Sequence, residues 1–334
     1  MKLTVLFLSM SFICCGAATA QQHTIKFASI APEGSTWLNV MREFDSALRR
    51  ESNGKLGFKI YAGAVQGEDK DVIRKIRLGQ LQSAGLTGFG LGEIASKLRI
   101  LDSPFLFDSY AEVDYLYSTL DKELGDALRE NGFVLLGWAE VGFVHVFTNT
   151  PVRTNGDMKG VKMWLWEGDQ VAEATFKTFD ISPTPLAITE VLTSLQTGLV
   201  NGVYASPLGL IALQWHTRVK YMMGLPLADA SGAVVISKKY LDALPADLRE
   251  ILLRNGRTYM QKLTQKSRDE NREAVESLKK NGIQINPVTS PTAMKEYQDA
   301  GKKTRQMLVG KLYDQAFLDR VEKTVMEYRT TRSR

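Results

Sequence analysis

The chain has 334 residues, 44% hydrophobic and 24% charged, with a formal net charge of +5. That balance excludes disordered and fibrous classes and leaves room for two globular domains. The small basic excess, which includes Arg329, Arg332 and Arg334 in a terminal run that reads as a solvated tail, gives no support to nucleic acid as a partner.

The first twenty residues stand apart. Lys2 precedes the apolar run Leu3 to Ile13, and small residues follow up to Ala18-Thr19-Ala20. This pattern predicts a secretory signal cleaved near Ala20, too short to be a permanent membrane anchor, so that the mature chain is exported and begins near Gln21. Both cysteines, Cys14 and Cys15, lie inside the signal, which leaves the mature chain no disulfide and no zinc-thiolate site. Lipid attachment at Cys14 or Cys15 is the alternative, set back because Ile13 and Cys14 stand where a small residue usually precedes the acylated cysteine. Loss of the signal removes one lysine and no acid, lowering the formal charge to +4. No later stretch approaches the roughly 20 apolar residues of a membrane helix.

Short apolar runs then alternate with amphipathic ones, the pattern of an α/β protein. "TIKFASI" (24–30) predicts a strand, and Trp37, Val40, Met41, Phe44 and Leu48 mark one face of a helix from Thr36 to Glu51. "GFKIYAG" is the next strand, and "GEDKDVIRKIRLG" a helix with acids first, bases later and Gly79 as its stop. "LQSAGLTGF" is strand-like, "DSPFLFDS" a loop with an apolar wedge, and a helix follows from about Ala111 to Asn131. Two strands, "FVLLGWA" and "GFVHVFTN", precede "GVKMWLW", where Trp164 and Trp166, two positions apart, project to the same face. Helices are predicted near Asp169–Thr178 and Thr189–Leu199, then strands at "VNGVYAS" and "GAVVIS". A last helical pattern runs from Ala246 to Asn281; at 1.5 Å per residue it extends on the order of 50 Å, enough to lie across two domains, with Gly256 as a point where it could bend. There is no repeat and no flexible tether, so any two domains are joined by compact hinges.

Signatures of catalysis are missing. The three histidines, His23, His145 and His216, are isolated, and there is no H-E-x-x-H, G-x-S-x-G or P-loop. No metal or cofactor is expected. His145 faces away from Val144 and Val146 on its strand and reads as a hydrogen-bonded structural histidine. Gly90-x-Gly92-x-x-Ala95 matches a loose dinucleotide fingerprint after a strand, but Asp108 only loosely meets the required acid, and tight chain turning explains the glycines.

Three stretches carry a resemblance: "LDSPFLFDS" (101–109), "TNTPVRTNGDMKGVKMW" (148–164) and "TPLAITEVLTSLQTGLVNGV" (184–203). In combination and order the sequence resembles the substrate-binding proteins of TRAP transporters, the DctP-like family, across essentially the whole mature chain. The resemblance implies a periplasmic binding protein-like α/β fold, with two α/β domains around a ligand cleft, joined by hinge strands and a long helix. The division expected is 21–142 plus 230–270 for the first domain and 143–229 plus 271–334 for the second. It also implies a periplasmic location, a small-molecule ligand enclosed by hinge closure, and TRAP membrane permease subunits as partners, with no enzymatic activity. Branches lacking the family's arginine can use an additional periplasmic helical-repeat protein.

In the family an arginine after K-[IV] grips the ligand carboxylate as a bidentate fork. Trp164 occupies that position here, and Val144 the place of a second arginine twenty residues earlier. Ile30 and Ala205 stand where many relatives carry asparagine, and Thr87 where some place a glutamate. A carboxylate buried without a partner costs several kcal/mol, whereas a tryptophan buries on the order of 150–250 Å². The expected cleft is therefore apolar, suited to a hydrophobic or amphiphilic ligand, with Tyr204 and Glu167 as polar contacts and Trp166 open between cleft and core. Trp138 and Trp215 read as packing residues. The alternatives are a conventional organic acid or dicarboxylate held by a relocated base such as Lys162 or Arg153, and an exported enzyme on the same scaffold.

Overall fold

The computed structural model describes residues 23–332. The expected signal, its cleavage near Ala20 and the alternative of lipidation at Cys14 or Cys15 lie outside them. The chain opens with β1 (His23–Ser29), α1 (Thr36–Glu51), β2 (Leu56–Tyr61), α2 (Asp69–Arg77), β3 (Ser83–Thr87) and α3 (Gly88–Ile94). β1 pairs in parallel with β2 on one side and β3 on the other. The helix face read from the sequence is the one α1 buries, with Ser35 capping its first turn by accepting from Leu38 N–H.

A 3-10 stretch at Ser96–Asp102 leads to α4 (Tyr110–Glu130) and then to β4 (Phe133–Thr148). Two strands were expected there, but β4 is continuous over 16 residues with register shifts at Leu135/Gly137 and Glu140/Gly142. Gly142, at φ 102°, supplies the irregularity that reads as a turn in sequence. The second unit holds β5 (Trp164–Trp166), α5 (Gln170–Thr178), β6 (Thr184–Leu186), α6 (Val191–Thr197), β7 (Gly202–Ala205), α7 (Pro207–Ala212) and β8 (Tyr221–Met223). β9 (Ala228–Ser237) returns to the first unit, antiparallel to both β3 and β4. Beyond Val144, β4 pairs instead with β7 and β8, so β4 and β9 are the strands that cross between units.

After α8 (Lys238–Ala243) comes α9 (Ala246–Lys280), 35 residues long and continuous through Gly256. Its Leu248, Leu252, Met260 and Leu263 join the core of the first unit, which includes Phe27, Phe44 and Leu136, while Leu278 joins a cluster of the second. Gly256 serves close approach: a Cβ there would lie 2.7 Å from the Leu136 carbonyl, and one on Gly137 would lie 2.7 Å from Met260 Cβ. Two glycines thus let α9 lie directly on the hinge strand. His145, on the second-unit end of β4, is buried and lies 2.9 Å through Nδ1 from the Met223 carbonyl, the structural histidine expected.

β10 (Gln284–Asn286) extends the sheet beside β8, and α10 (Pro291–Met307) packs on α5. The last helix is α11 (Gln315–Arg332). Leu312, Phe317, Leu318 and Val321 share a core with Val113, Leu116 and Leu124 of α4, so the terminus packs on the first unit although 271–334 was expected in the second. The described residues thus form a mixed α/β fold of two units crossed by β4, β9 and α9.

The glycine contact yields a prediction with a decisive sign. If only helix propensity mattered, Gly256→Leu would stabilise α9 by up to about 1 kcal/mol; overpacking against Leu136 should reverse this, with net destabilisation of about 1–2 kcal/mol. Denaturant midpoints decide, and a raised midpoint would show that α9 does not need the close approach.

Candidate ligand cavity

Between the two units lies a cavity of about 750 Å³, within the size range of small-molecule sites. Of the eight residues expected to meet a ligand, Ile30, Thr87, Val144, Trp164, Trp166, Tyr204 and Ala205 all line it. Glu167 does not: it is exposed just past β5, outside the lining. Trp166 is the last β5 residue to face inward, and the turn that follows carries Glu167 to the surface. Lys162 and Arg153, the alternative anchors for an acid, are also exposed and outside the lining.

The two indoles share a face as the strand period requires, with centroids 6.1 Å apart, while Leu165 enters a different cluster. Trp164 is 2% exposed. It stacks on Tyr204 at 4.8 Å, meets Trp215 edge-on at 5.2 Å, and donates from Nε1 to the Leu186 carbonyl at 3.0 Å. Its single polar group is thereby occupied. Trp215, read from sequence as packing, both supports Trp164 and lines the cavity; Trp138 lies outside the lining and donates to Asp121.

Trp166 reaches across the cleft. Its Nε1 donates to Glu68 Oε2 at 3.0 Å, and Ile188 N–H donates to Glu68 Oε1 at 2.9 Å, so one first-unit carboxylate grips two second-unit donors. Phe89 of α3 lies 5.1 Å from the Trp166 ring and belongs to the second unit's aromatic cluster. Lys70 Nζ sits over the Phe89 ring, 5.0 Å from its centroid.

A second bridge is ionic. Arg99, from the 3-10 stretch, pairs with Asp102 beside it and, at 2.7 Å, with Asp169 of the other unit. Asp169 is also the N-cap of α5, accepting from Val171 N–H at 2.9 Å and Ala172 N–H at 3.2 Å. Burial pushes the Asp102 carboxyl up despite Arg99 beside it. Tyr204 accepts from Trp166 N–H at 3.1 Å; burial, reinforced by Asp169, holds its phenol above the ordinary value and keeps it neutral.

Thr87 caps α3, and its hydroxyl donates to Asp69 Oδ2 at 2.7 Å. Burial pushes Asp69 up to about 6 against these bonds. The glycine run after Thr87 has a packing cause. A Cβ on Gly88 would strike Asp102 and Ser231, one on Gly90 would strike Asp69, and one on Gly92 would strike Arg99. The two glycines of the loose fingerprint, Gly90 and Gly92, thus make room for Asp69 and Arg99, and Gly88 just before it for Asp102.

Sequence reasoning missed Glu68, Phe89, Arg99, Asp102 and Asp169 as parts of this site. Asp169 had been placed at a helix start and Asp102 lay within a quoted motif, but pairing through Arg99 joins residues 70 apart in sequence and has no local signature. Among the described residues, no group of histidine, cysteine, aspartate and glutamate could hold a metal ion, and no helix is long and apolar enough to cross a membrane.

Residues 27–309 match the model of the DctP family, described as bacterial extracellular solute-binding protein, family 7. The chain belongs to this family. The C4-dicarboxylate-binding periplasmic protein DctP of Rhodobacter capsulatus is 25% identical over 275 residues, covering 79% of this chain and 80% of that one. The fold matches DctPAm of Advenella mimigardefordensis, a sugar acid binding protein in complex with galactonate, with a TM-score of 0.85 and 19% identity over 92% of this chain and 99% of that one. It also matches DctP7 of Bordetella pertussis, an extracytoplasmic solute receptor binding pyroglutamic acid, with a TM-score of 0.83 and 21% identity over 91% and 99% of the two chains. This DctP-family member is thus a TRAP extracytoplasmic solute receptor, not an enzyme, that takes a small-molecule ligand and works with TRAP membrane permease subunits.

The Glu68 grip can be tested on this receptor. Hydrogen bonds to a charged group contribute about 1.5–3 kcal/mol, so Glu68→Ala should favour the open cleft, raise the radius of gyration in small-angle scattering, and weaken ligand capture by about tenfold or more. Unchanged scattering and affinity would show that closure does not depend on Glu68.

Proposed function

We propose that this receptor captures a hydrophobic or amphiphilic small molecule in the periplasm, with Trp164 standing where relatives use a carboxylate-binding arginine. The observation that carries the reading is the state of Arg99. Among the described residues it is the one basic residue in the cavity lining, and it is already shared between Asp102 and Asp169. An incoming carboxylate would have to displace one of these partners and leave it buried without a counterion, which costs several kcal/mol. The walls meanwhile offer Trp37, Phe89, Trp164, Trp166, Phe176 and Trp215, and aromatic area of this kind favours a bulky apolar body. Tyr204 supplies a neutral hydrogen-bonding group beside them. Delivery is to the permease, directly or through a periplasmic helical-repeat protein.

A second reading has its own support. Arg99 does line the cavity, and relatives of this fold bind galactonate, pyroglutamic acid and β-D-galacturonate. On that reading closure around an organic acid would rearrange the Arg99 pairs. Denaturing the purified receptor and identifying the released small molecule by mass spectrometry separates the two: an apolar or amphiphilic compound is expected, and recovery of a sugar acid or dicarboxylate overturns the proposal. Trp164→Arg should weaken the apolar ligand at least tenfold, since both a large apolar face and its stacking on Tyr204 are lost. Unchanged affinity would remove Trp164 from the site.

A further inference from the structure

Of the rings that line the cavity, Trp164, Trp166, Phe176, Tyr204 and Trp215 come from the second unit, and Phe89 is packed among them. Trp37, in the first turn of α1, is the exception. It packs on the first-unit core that holds Phe27 and Phe44, and it stays half-buried where those two are fully enclosed.

The seat of Trp37 is made by residues without side chains. A Cβ on Gly85 of β3 would lie 3.1 Å from Trp37 Cζ3, and one on Gly232 of β9 would lie 3.1 Å from Trp37 Cη2. Carbon atoms in ordinary contact stand about 3.5–4.0 Å apart, so the six-membered edge of the indole can lie this close to the sheet because both strands carry glycine there. Gly85 lines the cavity beside it. The helix turn is held as well: Ser35 caps α1 by accepting from Leu38 N–H, and Thr36 donates to Glu270 of α9. Backbone and ring are thus fixed independently, one to the long helix and the other to the sheet.

We propose that Trp37 is a specificity-determining residue of this receptor, the first-unit end stop that fixes how long an apolar body the cavity can enclose. The inference rests on the apolar reading above and names the feature of the ligand that the cleft measures. Removing the ring would open space on the order of 150 Å³, a volume in which an apolar cavity stays dry and takes a benzene-sized group. Gly85→Ala acts in the opposite sense. Its methyl would lie 3.0 Å from Phe27 Cζ and 3.1 Å from Trp37 Cζ3; Phe27 is fully enclosed and Trp37 is not, so Trp37 is the ring that yields, into the cavity.

The test is calorimetric titration of the full mature receptor with n-alkanols from butanol to dodecanol and with the n-alkanoates of the same lengths. In the wild-type receptor, affinity for the alcohols should rise about fourfold per added methylene up to a break and then level off. Trp37→Ala should move the break about two methylenes or more towards longer chains, Trp37→Phe, which keeps a ring on the core, about one, and Gly85→Ala about one towards shorter chains. Packing loss alone would lower affinity at every length and leave the break in place. A break at the same length in wild type and all three variants therefore overturns the assignment, whatever their melting temperatures; with the alcohols still bound, it sinks this inference alone. A moved break found with the alkanoates and no binding of alcohols keeps Trp37 as the end stop and overturns the apolar reading. Binding of neither series by any of these receptors overturns both.

Discussion

The guanidinium of Arg99 lies between two carboxylates from opposite sides of the cleft, and much of the site's geometry follows from keeping it there. A buried charge without a partner costs several kcal/mol, so Asp102 and Asp169 must both reach it. Asp169 can do so because it ends β5's turn and caps α5 at once, which fixes its side chain by two backbone donors. Asp102 is steadied by Ser231 N–H at 2.8 Å, tying the pair to the hinge strand. The space for these side chains comes from Gly88 and Gly92, where a Cβ would strike Asp102 and Arg99 respectively. A run that looks like a nucleotide loop is thus a packing solution for buried charge.

The same logic governs movement between the units. β4 and β9 cross side by side, and α9 lies along β4 at glycine distance, so the crossing is a braced strip rather than a tether. Bracing confines motion to rotation about that strip. The contacts that rotation would make or break are the ones found across the cleft: Glu68 with Trp166 and Ile188, Arg99 with Asp169, Phe89 against Trp166. Each of them uses a group that also lines or borders the cavity. Closure and ligand contact are therefore coupled through shared side chains, which is how a binding event can bias the hinge.

The parts of the fold legible in sequence were those with a local physical cause. The apolar period of Thr36–Glu51 returned a helix with those limits, and the two-residue spacing of Trp164 and Trp166 correctly placed both rings on one face. Family motifs then supplied the arrangement of units, and seven of eight expected cavity residues do line it. What escaped was non-local. β4 looked like two strands because Gly142 interrupts the pattern, yet pairing with β9 carries the strand through. α11 lies in the stretch expected in the second unit and turns an apolar face to α4. Arg99 was invisible as a site residue because its meaning depends on Asp169, brought near only by folding.

Trp164 shows how one side chain of the cavity wall fixes more than one contact. An arginine at that position would present donors to the cavity and need counterions around it. The indole instead turns its one donor to the Leu186 carbonyl and its faces to Tyr204 and Trp215. The base elsewhere in the lining, Arg99, is held by two aspartates. Ring faces of this kind gain apolar area at every contact. The cavity wall thus joins an indole whose one donor is occupied to a guanidinium shared between two aspartates from opposite units.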